Sequence, residues 1–156
     1  MDFMSEPAST DFIERYLCAR GRRYFRGQHD REYFFVANTH LRRLHVHLET
    51  CPAHPDVFTV RVTPACFFPA DDRAQLARAA ERWNQQNSAV TAVVHESSDP
   101  QRIGVAATKS HSMADFVGFD DFARFVDGTL GAAMDLFDQL SPAAELPSTP
   151  LLLDAG

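Results

Sequence analysis

An α+β domain, with an antiparallel sheet and helices packed on one of its faces, is the fold this sequence predicts, and three observations carry the reading. Two stretches, Leu44 to Glu49 and Phe58 to Thr63, alternate apolar and polar residues with the period of two that a half-exposed strand requires. Two others, Leu76 to Trp83 and Phe122 to Phe137, repeat apolar residues at the three- and four-residue steps of an amphipathic helix. The third is size and composition: 156 residues, 45% hydrophobic and 11% aromatic with 13 Phe against one Trp, suffice for one packed core without a disulfide or metal to hold it.

The elements follow in the order α-β-β-β-(β)-α-β-β-α. Thr10 or Asp11 is a suitable N-cap, with Glu14 three residues after Asp11, and Ile13, Tyr16 and Leu17 continue a first helix toward Gly21. Tyr24-Phe25, a turn through Gly27 to Asp30, and Tyr33 to Val36 read as a hairpin of aromatic and β-branched strands. The alternating stretch from Leu44 is the next strand; a loop holding Pro52 and Pro55 separates it from the stretch ending before Pro64. Asp71 or Asp72 caps a helix whose Leu76, Ala80, Trp83 and Asn87 form one stripe. Val90 to Glu96 and Ile103 to Lys109 form a second hairpin across Ser97-Ser98-Asp99-Pro100, and a last helix follows Asp120-Asp121. Gly128 and Gly131 within that helix each cost roughly 1 kcal/mol of helix propensity against Ala, which signals either close backbone contact or simple tolerance. In domain terms, residues 1–9 form a flexible N-terminus, 10–140 the folded unit, and 141–156, with Pro142, Pro147 and Pro150, an irregular tail.

Several functional classes are excluded by composition. No segment approaches the roughly 18 to 20 apolar residues of a membrane span, and Met1 to Thr10 has neither the basic nor the apolar region of a signal peptide. Cys18, Cys51 and Cys66, odd in number and unrelated in spacing, read as reduced thiols and so place the chain in the cytoplasm. Seven scattered glycines form no phosphate-binding loop. Basic residues crowd the first third while acids dominate after Ala114; the net charge of −6 argues against a polyanion such as nucleic acid as the partner.

The stretch Trp83-Asn84-Gln85-Gln86-Asn87, a strand hairpin, and then Asp115-Phe116 through Phe122, Phe125 and Phe137 resemble the YbjN-domain family over residues 10 to 140. The resemblance implies the fold of type III secretion chaperones, a homodimer, and protein binding or regulation in place of a reaction. Trp83, Asn84 and Asn87, its signature residues, also suit structural work: an aromatic anchor between helix and sheet, and amides that close a helix C-terminus.

Among chemical candidates the sharpest is His45 with His47, two imidazoles on one strand face, with Glu49, Cys51 or His54 near enough in sequence to supply a third metal ligand. Solvated histidines on an exposed face are the simpler reading, and no metal or other cofactor is expected. Cys51 with His54 and Ser110 with His111 pair a nucleophile and a base in sequence only, outside any nucleophile-elbow pattern. Arg22, Arg23, Arg42 and Arg43 offer a cationic surface for an acidic protein partner or a second subunit. The expectation is therefore a non-enzymatic, cytoplasmic, homodimeric protein-binding module of chaperone-like or regulatory kind; the alternative is a small metal-binding or hydrolytic protein using His45 and His47.

Overall fold

Alternation along four long segments builds a single antiparallel sheet, seen in a computed structural model that describes residues 8–39 and 42–144. The chain runs α1 (Ala8–Ala19), β1 (Tyr24–Arg26), β2 (Glu32–Asn38), β3 (Arg43–Cys51), β4 (His54–Pro64), β5 (Phe68–Pro69), α2 (Arg73–Gln86), β6 (Thr91–Glu96), β7 (Arg102–Ser112) and α3 (Phe119–Ala144). The expected fold class is observed, and so is the element order apart from the two-residue β5, which the sequence reading did not include. Strands pair in the order β1-β2-β3-β4-β7, every pair antiparallel. β6 lies along the far side of β7, and the two-residue β5 continues the line of β4 beside Ile103 and Arg102.

Period two decides which residues meet the helices. Tyr33 and Phe35 of β2, Leu44, Val46 and Leu48 of β3, and Phe58, Val60 and Val62 of β4 are all buried on one face. The three helices share that face. Phe122 of α3 is the centre of the core, with ring centroids 4.8 Å from Phe58, 5.2 Å from Phe116 and 5.4 Å from Phe12 in tilted or edge-on arrangements. Val126, Ala133 and Phe137 continue the same stripe.

Helix ends depart from the sequence reading in instructive ways. α1 starts at Ala8, so Thr10 and Asp11 lie inside it and neither is its N-cap. Its C-terminus closes with Arg22 N–H to Leu17 O at 2.9 Å and Gly21 N–H to Cys18 O at 3.1 Å; this pair of bonds needs a left-handed residue, and Gly21 takes φ of 64°. A 3-10 turn, Ala70–Asp72, leads into α2, and Asp72 occupies the N-cap position without making a capping side-chain bond. Asn87 is the C-cap of α2, in extended conformation, and not a member of its buried stripe. α3 begins at Phe119, which puts Asp120 and Asp121 in its first turn, where carboxylates complement the exposed N–H groups. It also runs on through Ala144, past Pro142, because proline's fixed φ near −65° is the helical value and its loss here is one backbone bond in the last turn. The remainder of the expected tail, and residues 1–7, lie outside the described residues. A Cβ built at Gly128 or Gly131 meets nothing within 4 Å, so tolerance, and not close packing, explains both glycines.

Candidate functional site

With all helices on one face, the other face of the sheet is left to solvent, and its composition is unusual. The outward residues of β1 and β2 include Phe25, 71% exposed, with Phe34 and Val36, while Val93 projects from β6; all are large apolar groups in contact with water. Register places Phe25 beside Phe34, Phe34 beside His47, and His47 beside Arg61, a row across four strands. The next row runs Val36, His45, Thr63. Phe25, Phe34, Val36, His45, His47 and Arg61 line a shallow depression of about 510 Å³ on this face.

At the end of the depression lies a cluster of ionisable groups. Glu32 opens β2 and Glu49 is its direct partner on β3. The His47 ring is stacked on Phe34 at 4.5 Å between centroids and 16° between planes, which aims Nε2 at both acids, 2.8 Å from Glu32 Oε2 and 3.1 Å from Glu49 Oε1. His29, on the turn between β1 and β2, brings its Nε2 to 3.8 Å from each carboxylate. Gln28 N–H donates to Glu32 Oε1 at 2.8 Å. Gly27 makes room, since a Cβ there would collide with the Glu32 carboxylate. Partial burial works to raise the Glu32 carboxyl, but the Gln28 N–H and His47 outweigh it and hold the group below its ordinary value.

Of the sequence candidates, then, His47 belongs to a polar cluster and His45 does not: His45 is exposed in the apolar depression. Glu49, one of three residues considered beside them, joins the cluster. Cys51 and His54 face each other across the Pro52-Ala53 hairpin and stay outside the cluster of His29, Glu32 and Glu49. His29 and Glu32 were missed by sequence reading. Their signal was available only as register, since Glu32 meets Glu49 once β2 and β3 are paired.

The pairing of Ser110 with His111 dissolves in three dimensions. Ser110 Oγ is bonded to Thr59 Oγ1 at 2.8 Å, whereas the neighbouring His111 stacks on Phe116 at 4.4 Å and bonds to Ser112 O through Nδ1. Successive strand residues point to opposite faces, so the two cannot form a nucleophile and base.

The four arginines are likewise divided. Arg22 covers the Phe35 ring at 4.9 Å, and Arg42 donates to Asp138 Oδ1 of α3 at 3.4 Å, both toward the helical side. Arg23 and Arg43 are exposed, the latter opposite Asn38 on the open face. Trp83, Asn84 and Asn87 spend their polar atoms on backbone: Trp83 Nε1 donates to Val90 O at 3.0 Å, Asn84 bonds twice to Ala92, and Asn87 Nδ2 donates to Trp83 O at 3.2 Å.

Among the described residues no helix is long and apolar enough to cross a membrane. No curated protein sequence matched the chain. Among solved structures, that of YbjN from E. coli, described as "a putative transcription regulator", is similar with a TM-score of 0.64 and 15% identity, covering 88% of this chain and 95% of that one. At that identity the shared property is the fold. Residues 9–142 match the family model YbjN, described as "Putative bacterial sensory transduction regulator". The match takes in all seven strands, α2, and all but the outermost residues of α1 and α3, and the chain belongs to the YbjN family.

Proposed function

We propose that this chain is a non-enzymatic regulator of chaperone-like kind that works in the cytoplasm by binding protein, and that it does so as a homodimer through the open face of its sheet. One observation carries the reading: every helix packs on one side, while the opposite side exposes Phe25, Phe34 and Val36 around a depression and Val93 farther along the sheet. Exposed apolar patches on an otherwise satisfied fold mark interaction surfaces. Aromatic residues at the centre of such a patch supply most of the binding energy once they are desolvated. The cytoplasmic assignment rests on three cysteines that are all free. A regulatory role is the one described for the family.

The test is the oligomeric state of the full chain and its dependence on this face. Light scattering coupled to gel filtration should return twice the chain mass at micromolar concentration, and Phe25→Ser combined with Phe34→Arg should return the monomer with an unchanged far-ultraviolet spectrum. A wild-type monomer at every concentration up to the millimolar range removes the homodimer, and a variant that pairs as well as the wild type removes this face as its seat.

A further inference from the structure

We propose that His29, Glu32 and Glu49 are the ligands of a divalent transition-metal site, with His47 beside them bonded to both acids and zinc the ion that suits it. The inference begins from a conflict in the sheet. Glu32 and Glu49 are paired directly across β2 and β3, and like charges in that position destabilise a sheet. Among the described residues, the groups within ion-pair distance of the two carboxylates are His29 and His47, with no arginine or lysine among them. Two carboxylates therefore share this corner of the sheet with imidazole nitrogens, the mixed oxygen and nitrogen donor set that a divalent cation can join.

Geometry selects the class of ion. Tetrahedral zinc binds nitrogen and oxygen at about 2.0 to 2.1 Å, which sets neighbouring ligand atoms roughly 3.3 Å apart. His29 Nε2 stands 3.8 Å from an oxygen of each acid, a little beyond that value. One atom each from His29, Glu32 and Glu49 lies within 4.8 Å of the others. Calcium and magnesium prefer oxygen alone, whereas imidazole with carboxylate suits zinc. All four side chains are 16 to 30% exposed, sheltered yet open to an entering ion.

The supports a metal site needs are also in place. Stacking on Phe34 fixes the plane of His47, and the Gln28 N–H holds one oxygen of Glu32. Arg31 N–H lies 3.4 Å from His29 Nδ1, a long contact that is given up when the imidazole proton moves to Nδ1 and leaves the Nε2 lone pair for the ion. Binding would pin the β1–β2 turn, which carries His29, to β3 at the rim of the open face.

The experiment uses the untagged full chain, stripped with a chelator, dialysed, and titrated with zinc sulfate. Calorimetry and elemental analysis should give one zinc per chain with Kd tighter than about 10 μM, accompanied by a rise in Tm. Cobalt in place of zinc should give the intense visible absorption of a tetrahedral site. His47→Ala and Glu49→Gln should each weaken binding at least about tenfold. His45→Ala removes an imidazole from the same strand face outside the cluster and should bind as the wild type does. The proposal is overturned by substoichiometric zinc at 100 μM free metal, about ten times that limiting Kd. It is overturned equally by His45→Ala weakening binding as much as His47→Ala, or by a cobalt spectrum with octahedral intensity.

Discussion

Asn84 behaves as a piece of backbone. Its amide donates from Nδ2 to Ala92 O at 3.0 Å and accepts Ala92 N–H on Oδ1 at 2.8 Å, the two bonds a neighbouring strand would have offered to the outer edge of β6. Trp83, one residue earlier, does the companion task by burying its ring and donating to Val90 O. Replacing Asn84 by Ala leaves two backbone groups to find water at a partly buried edge, so the variant should lose about 1 to 2 kcal/mol in urea unfolding. Asn84→Asp should lose at least as much, because a carboxylate cannot donate to the Ala92 carbonyl. Equal stability of Asn84→Ala and the wild type would refute the edge-pairing role. The Trp-Asn pair was legible in the sequence as a motif at a helix end, but its bonding partners were not, since they depend on how residues 88–90 fold the chain back along α2. The same holds for the His29, Glu32, His47, Glu49 cluster. Period two put His47 and Glu49 on one face from sequence alone, whereas Glu32 arrives through strand register and His29 through a turn, and neither leaves a local pattern.

Elements with strong periodicity were legible where packing and propensity agree, and their ends were not. α3 shows the contrast: its apolar stripe from Phe122 to Phe137 is as expected, yet it extends to Phe119 at one end and Ala144 at the other. Its length is set by packing of the stripe on β4 and β7, and this tolerates Gly128, Gly131 and Pro142 against their helix propensities. Because a Cβ at Gly128 or Gly131 enters open space, alanine there adds helix propensity without a clash. Each of Gly128→Ala and Gly131→Ala should stabilise the fold by about 0.5 to 1 kcal/mol, with additive shifts in the urea midpoint of the double variant within about 0.5 kcal/mol. A destabilising alanine at either position would mean that another molecule or segment approaches the helix there. The strands illustrate the opposite limit: β3 and β4 alternate cleanly because one face of each meets the core and the other meets water, so burial writes directly into sequence.

At the scale of the molecule, a basic first third and an acidic last third suggest a polarised surface, and folding brings parts of the two together. Arg20, just past the end of α1, meets Asp127 of α3 at 2.6 Å, Arg42 reaches Asp138, and Tyr16 donates to Asp127 Oδ1 at 2.6 Å, so charge separated along the chain is paired across the helical layer. Stability should therefore depend on pH in both directions. Partial burial would raise the Asp127 carboxyl, but Arg20 and the Tyr16 hydroxyl prevail and hold it below its ordinary 3.8. A depressed carboxylate contributes stability that is whole above the unfolded value and disappears as pH falls through the folded one. For Tyr33 the sign reverses: burial and the bond to Glu14 push the phenol from 10.0 up to about 12, so its contribution is whole below pH 10 and fades as pH rises toward 12. With Asp127 nearly half exposed, the pair is worth less than about 1 kcal/mol. Asp127→Asn should lower the urea midpoint at pH 7, and the gap to the wild type should narrow as pH falls below 3.8 and shrink in 1 M salt, where the screening length is about 3 Å. A gap that stayed constant from pH 7 to pH 3 would show that Asp127 acts through packing alone, and that α1 and α3 are held together without the charge that joins them in this structure.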